Sequence, residues 1–189
     1  KHLDKAEQLA PDDVHVLGIR LLTLLGQKNW AEAQKYIDRL VKMNADGAGG
    51  LLYEQQLALA KGEYDKAVDL ANRAIAKLPE FASGYISLGQ SLQAEGRYQE
   101  AVSQYLNALD RQSNNLHAIQ GIIACYYAMN RPDDASRYIA IARHADPSNP
   151  VFQELEVEHS LKYGDGTLAI SARLSSAERS VGTACRYRW

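Results

Sequence analysis

The five histidines are the residues of this sequence best suited to metal binding or proton transfer, and their spacing supports neither role. A metal site on one helix needs two histidines four residues apart, or a His-x-x-Glu-His arrangement. No such pair occurs among His2, His15, His117, His144 and His159. We therefore expect no metal and no cofactor, and each histidine is expected to be structural or solvated.

The loops and elbows on which common enzymes hold phosphates or nucleophiles are also missing. The sequence contains no G-x-x-x-x-G-K-[ST], no G-x-G-x-x-G after a strand and no G-x-S-x-G. The stretch GAGG (47–50) is interpreted as a linker that lets helices pack closely. Cys125 lies within a helical pattern and is expected to be a buried apolar residue, whereas Cys185 is expected to be exposed. We expect no catalytic residue, so the chain is predicted not to be an enzyme.

Composition narrows the class of protein further. Of 189 residues, 46% are apolar and 23% charged, which is typical of a globular protein. The net charge of −2 lacks the cationic excess that nucleic acids or anionic membranes attract. No run of 18 apolar residues predicts a membrane span. We expect a soluble protein, and because a signal peptide can be removed, the cytoplasm and the periplasm both stay open.

A period of 34 residues organises the sequence, and such a period is the signature of a repeat architecture. Alanine recurs at positions 33, 67, 101, 135 and 169. A second register holds small residues at positions 74, 108 and 142, and a third holds Pro11, Pro79 and Pro147. Aromatic residues share a fourth register at positions 30, 64 and 98.

Each repeat is predicted to contain two amphipathic helices. The predicted first helices are 14–26, 48–61, 82–95 and 116–129. The predicted second helices are 30–43, 64–77, 98–111 and 132–145. Between them, Gly62, Gly96 and Asn130 stand where a tight turn requires a positive φ. Asn149 and Pro150 predict the N-cap and the first residue of one more helix, which the stretch GDGT (164–167) ends.

One set of spacings resembles the tetratricopeptide repeat (TPR), namely Leu88-Gly89, Leu92, Gly96, Tyr98, Ala101, Tyr105 and Ala108. The resemblance implies an all-α fold, a right-handed α-solenoid of antiparallel helix pairs. The expected units are a partial repeat (1–13), TPR 1 (14–47), TPR 2 (48–81), TPR 3 (82–115), TPR 4 (116–149), a degenerate capping repeat (150–180, with a closing helix at 167–180) and a tail (181–189). Charged residues replace the usual apolar one at one slot and are expected to be exposed or paired: Arg20, Glu54 and Glu156.

The resemblance also implies that the first helices line a concave groove. The candidate partner-binding residues at groove positions are Tyr53, Gln56, Ile86, Gln90, Gln93, His117, Gln120 and Tyr127. Further groove positions include His15, Gly18, Ile19, Leu22, Leu25, Gly49, Leu52, Ser83 and Ser87. We expect Gln90 and Gln93 to contribute little to packing.

No predicted groove position carries Asp, Glu, Lys or Arg. Two interpretations stay open. First helices are sandwiched in any such array and are therefore less charged. Alternatively, amides, hydroxyls and tyrosine rings form a binding groove for an extended or helical segment with apolar anchors.

Two grooves known in the family are not expected here. The slots that would hold a carboxylate clamp contain no cation: Gly18, Leu22, Tyr53, Ser83 and Ser87 in one register, and Leu52, Gln56, Ser87, His117 and Gly121 in the next. The slots of an asparagine ladder hold Ile19, Tyr53, Ser87 and Gly121.

The function predicted from these features is a non-catalytic scaffold that binds a protein or peptide segment in the groove. The alternative is an accessory or spacer domain of a larger enzyme or of a secretion or assembly machine, whose catalytic part lies outside this chain. RNA binding would need a basic groove, so no nucleic-acid partner is expected. Pairing of two copies through an exposed end or the groove is a further expectation. The tail, with Arg186, Tyr187, Arg188 and Trp189, is interpreted as a frayed end or as a stacking surface.

Overall fold

The structure is a computed structural model that describes residues 2–43 and 47–164. Within these ranges all regular structure is α-helical. The helices are α1 (His2–Leu9), α2 (Val14–Gly26), α3 (Trp30–Met43), α4 (Ala48–Lys61), α5 (Tyr64–Lys77), α6 (Ala82–Ala94), α7 (Tyr98–Arg111), α8 (Leu116–Ala128), α9 (Pro132–Ala145) and α10 (Pro150–Tyr163). The expected closing helix at 167–180, Cys185 and the tail 181–189 lie outside the described residues.

The predicted helix bounds are confirmed, with α6 and α8 each ending one residue earlier than expected. Helix α10 begins as predicted, because Asn149 Oδ1 accepts a hydrogen bond from the Val151 backbone N–H over 3.0 Å while Pro150 occupies the first helical position. The chain is an all-α array of helix pairs. The repeat boundaries themselves stay a prediction.

The turn inside each repeat has the same hydrogen bond in all four repeats. The φ angles of Gly62 and Gly96 are 79° and 87°, and that of Asn130 is 55°. The N–H of the next residue then bonds the carbonyl five positions earlier, for example Glu63 to Ala58 and Arg97 to Leu92, each over 2.9 Å. In the first repeat this place is taken by a lysine, Lys28, with a φ of 57°.

The chain divides into two compact units, residues 1–121 and 122–189. In the first unit the alanines at 33, 67, 74, 101 and 108 are fully buried or nearly so, and this lets the helices approach closely. In the second unit the buried residues include Ile122, Ile139, Ala142 and Phe152.

Within the first unit the first helices converge. Helix α2 contacts α4, and α4 contacts α6, whereas α3, α5 and α7 make no comparable contact with one another in the part of the chain that the structure describes. The predicted groove positions on α2, α4, α6 and residues 116–121 are called the first-helix face below.

Two of the three charged residues at the apolar slot are paired. Arg20 bonds Asp4 over 2.6 Å and Glu7 over 3.0 Å, and Glu156 accepts from Arg143 over 3.0 Å. The third, Glu54, is half-buried.

Candidate functional site

Seven of the eight candidate residues belong to the first unit, and Tyr127 belongs to the second. In the first unit Gln90 and His117 are exposed, while Tyr53, Gln56, Ile86, Gln93 and Gln120 are half-buried. These side chains lie on α4, α6 and the first turns of α8. Each of these is the first helix of its repeat, so the side chains occupy corresponding positions in successive repeats.

Two predicted groove positions were wrong, because their side chains are buried. Leu25 is 8% exposed and packs in an apolar cluster with residues such as Leu21 and Leu57. Ser87 is 6% exposed, and its carbonyl accepts hydrogen bonds from Gln55 and Ser91.

The expectation that Gln93 contributes little to packing is also wrong. Its Oε1 accepts a hydrogen bond over 2.8 Å from the hydroxyl of Tyr105, whose side chain is 1% exposed. The Tyr105 ring lies between two glycines, since an added Cβ would come within 2.7 Å of the ring at Gly89 and 2.4 Å at Gly121. Gln93 therefore fixes a core tyrosine, whereas the exposed Gln90 stays available to a ligand.

Tyr53 is partly a core residue. Its half-buried ring packs against the apolar cluster of α2 and α3, and burial raises the pKa of its phenol. The tyrosine can present an edge to a ligand while its body holds α4 against the preceding repeat.

The most exposed large apolar side chains of the first-helix face lie on α2. Ile19 and Leu22 are 55% and 58% exposed. They are three residues apart, so they are neighbours on the helix surface. The sequence placed both among the groove positions but gave no sign of how exposed they are.

A small pocket lies beside this face, with a volume of about 130 Å³. Its walls come from α4, the end of α5 and the start of α6: Ala48, Gly49, Leu52, Ala74, Leu78, Phe81, Ser83 and Gly84. Three of these, Gly49, Leu52 and Ser83, are predicted groove positions.

In the second unit, Tyr127 is part of an aromatic cluster. Its hydroxyl lies 2.9 Å from His159 Nδ1, and its ring stacks on Tyr163 with centroids 5.4 Å apart. The Lys162 ammonium lies 5.1 Å from the Tyr163 ring. Burial raises the pKa of Tyr127, and the charges of Tyr163 and Glu158 add to the shift.

Sequence reasoning missed His159 and Tyr163. They lie two residues on either side of Leu161, the position 34 residues after Tyr127. A search of the residues around position 161, which corresponds to the groove position Tyr127 one period later, could have identified them.

The described residues show little means for catalysis. No group of three His, Cys, Asp or Glu side chains in this part of the chain could hold a metal ion. Cys125 is buried, as predicted, and burial raises the pKa of its thiol to about 11, so it is a poor nucleophile at neutral pH. Among the described helices, none combines the length and the apolar character needed to cross a membrane.

Comparison with known families identifies the class. A family model described as the tetratricopeptide repeat matches residues 20–80 and 55–117, and another of the same description matches 92–156. The chain belongs to the tetratricopeptide repeat family. It is a repeat domain of a class that mediates protein–protein interactions, and the fold of this class is generally non-catalytic.

Solved structures of the same fold agree. Yeast Tom70 superposes with a TM-score of 0.73 at 18% identity, covering 93% of this chain and 38% of that one. A thermophilic TPR protein of Thermus thermophilus gives 0.68 at 19% identity, covering 84% and 87%. At these identities the likeness shows the fold.

Among curated proteins, the cellulose synthase operon protein C of Xanthomonas axonopodis pv. citri (strain 306) is 33% identical over 120 residues, 59% of this chain and 8% of that protein. The TPR repeat-containing thioredoxin TTL4 of Arabidopsis thaliana is 27% identical over 135 residues, 71% of this chain and 17% of that protein. The chain thus spans less than a fifth of the length of these two relatives.

Proposed function

We propose that the first-helix face of residues 14–121 binds an uncharged segment of a partner protein through apolar and amide contacts. The exposure of Ile19 and Leu22 carries the proposal. Both side chains are more than half exposed, so burial does not explain why this face lacks charge. Covering large apolar side chains that are in contact with water lowers the free energy, so their exposure favours binding of a partner.

The chemistry of the partner follows from the lack of charged side chains at the positions of the first-helix face. A charged side chain that docked on this face would lose hydration without meeting an opposite charge. The exposed amide of Gln90 can bond a peptide backbone, and it does so without selecting for charge. The favoured partner is an extended or helical segment with apolar anchors and a neutral contact surface.

The test compares three forms of the full chain as bait in the source organism's lysate. One is the wild type, and one carries Ile19→Glu, Leu22→Glu and Gln90→Glu. The matched control carries Asn72→Glu, Ala76→Glu and Ser103→Glu, which add the same charge at exposed positions of the second helices α5 and α7. Melting curves must show that all three are equally folded.

We expect a partner that the wild type and the control retain and the face variant loses. Protection of the amides of α2 and α6 from hydrogen exchange on adding the purified partner would then localise the contact. A partner that all three forms retain would place binding elsewhere and overturn the proposal.

A second candidate function has one observation in its favour. The relatives contain far more than this region, since the matched part is 8% of one and 17% of the other. The array would then act as an accessory or spacer domain of a larger enzyme or of a secretion or assembly machine. The complete open reading frame would decide this, because a frame without any further domain would exclude the accessory role.

A further inference from the structure

The pocket at the junction of α4, α5 and α6 is bounded by small side chains and close helix packing. Ala48, Gly49, Ala74 and Gly84 leave the space open. At Gly84 an added Cβ would lie 2.8 Å from Ile75 Cγ1, so α6 is held tightly against α5 on this side. The pocket is therefore a fixed concavity beside the first-helix face, with the half-buried Leu52 as one wall.

The edge of the pocket carries an apolar ring in contact with water. Phe81 is one of the lining residues and is 59% exposed. An exposed ring beside an apolar cavity offers further surface that an incoming apolar group can cover.

We propose that this pocket binds one aliphatic side chain of about the size of leucine, presented by the partner segment. An apolar cavity of about 150 Å³ admits a benzene-sized molecule. A half-open pocket of about 130 Å³ therefore accommodates a leucine side chain, whereas an indole would extend beyond it.

The surroundings of the pocket also select against positive charge. None of the eight lining residues carries a formal charge, and Ser83 contributes the one side-chain hydroxyl among them. The Lys77 ammonium lies next to the pocket, 3.0 Å from the position that a Cβ would take at Gly47, so an incoming ammonium would lose hydration and be repelled there. The inference names the anchor of the partner and rests on the proposed function for its biological setting, but the pocket's selectivity can be measured without the partner.

The test uses amino-acid amides as probes of the isolated chain. N-acetyl-leucinamide is titrated into the isotope-labelled protein, and the backbone amide signals of Gly49, Ser83 and Gly84 are followed. We expect saturable shifts with a Kd in the millimolar range, because so small a ligand makes few contacts. N-acetyl-tryptophanamide and N-acetyl-lysinamide are expected to bind at least tenfold more weakly.

Two substitutions change the pocket in opposite directions. Ser83→Phe fills the pocket from an exposed wall position and is expected to weaken binding of N-acetyl-leucinamide at least tenfold. Leu52→Ala enlarges it, and binding of N-acetyl-phenylalaninamide is expected to rise relative to that of N-acetyl-leucinamide. The control, Ser113→Phe, places the same ring at an exposed position that does not line the pocket. It is expected to leave the binding of the leucine and phenylalanine probes unchanged.

Several outcomes would overturn the inference. These are shifts that do not saturate, equal binding of the lysine probe, or unchanged leucine binding in a folded Ser83→Phe variant. If Ser83→Phe does not fold, Leu52→Phe fills the pocket from α4 and replaces it. If Ser83→Phe converts a dimer into a monomer in solution, the occupant is a second copy of the chain, and the assignment to a partner is wrong.

The probe result and the partner result separate the two proposals. No probe binding, together with a partner lost from the Ile19, Leu22 and Gln90 variant, would overturn the pocket and leave the face. Selective probe binding, with a partner retained by that variant, would support the pocket and overturn the face.

Discussion

The side-chain amide of Gln55 donates a hydrogen bond to the Ser91 hydroxyl over 2.8 Å, in a contact buried between α4 and α6. The Ser91 hydroxyl in turn donates to the Ser87 carbonyl over 2.8 Å. Gln55 Oε1, by contrast, is buried without a hydrogen-bond partner. A buried acceptor left unpaired costs about 1–3 kcal/mol, so this contact joins two repeats at a cost to stability.

Replacing Gln55 by methionine should therefore leave the free energy of unfolding unchanged or raise it by about 1 kcal/mol. The other repeats hold Leu21, Gly89 and Ile123 at this register, so an apolar residue suits the position. Ser91 can keep its bond to Ser87. Urea unfolding measures the change.

Ser91→Ala is the control, because it removes the nearer of the two acceptors of the Gln55 amide and leaves the Ser87 carbonyl, so it should destabilise by about 1 kcal/mol. A loss of more than about 1 kcal/mol in Gln55→Met would contradict this account of the contact.

One substitution, glycine to alanine, should change stability in opposite directions at two positions. At Gly121 an added Cβ would lie 2.4 Å from the Tyr105 ring, and the overlap should cost about 1–3 kcal/mol. At Gly18, inside α2, an added Cβ meets nothing within 4 Å, so alanine should stabilise by about 0.5–1 kcal/mol. Thermal unfolding of the two variants tests this. If both substitutions stabilised the chain, the ring of Tyr105 would move aside at little cost; if both destabilised it, the open space at Gly18 would not be free for a methyl group.

The period made the helices and turns predictable, because both repeat every 34 residues. Glu63 bonds Ala58 as Arg97 bonds Leu92, so one turn predicts the next. The contacts that the sequence missed follow no such spacing. Tyr105 bonds Gln93 at a separation of 12 residues, Tyr127 lies against His159 at 32, and Gln55 bonds Ser91 at 36. These contacts depend on which side chain fills the space left by its neighbours, and a repeat register does not specify that.

Glu7 should make the attachment of α1 depend on pH. Helix α1 has no buried residue, and Glu7 accepts hydrogen bonds from Tyr36 over 2.6 Å and from Arg20 over 3.0 Å. The Tyr36 bond is the main reason that the pKa of Glu7 is lowered from its ordinary value of 4.5. A lowered pKa contributes stability that is present above the ordinary value and lost as pH falls through the folded-state pKa.

We therefore expect the helical backbone chemical shifts of α1 to fade below about pH 4.5, before the core unfolds. The Glu7 bond raises the pKa of Tyr36, so the tyrosine's contribution is present below its ordinary value of 10 and is lost as pH rises through the raised pKa. Glu7→Gln cannot ionise and should move the loss to lower pH. There the Asp4 carboxylate, which pairs with Arg20 and has a pKa lowered to about 2, becomes protonated. A wild type and variant that lose α1 at the same acidic pH would show that another group controls it.

Replacing Gln93 by alanine should lower the free energy of unfolding more than replacing Gln90 by alanine. Gln93→Ala removes an acceptor of the Tyr105 hydroxyl and should destabilise by about 1 kcal/mol. Gln90 is exposed, so Gln90→Ala should stay within about 0.5 kcal/mol of the wild type. Tyr105→Phe removes the other member of the pair, and adding it to Gln93→Ala should cost less than the sum of the two single changes. Chemical denaturation of the four forms gives this coupling. If the costs simply add, the hydrogen bond between Tyr105 and Gln93 contributes nothing to stability, and any loss in Gln93→Ala comes from its other contacts.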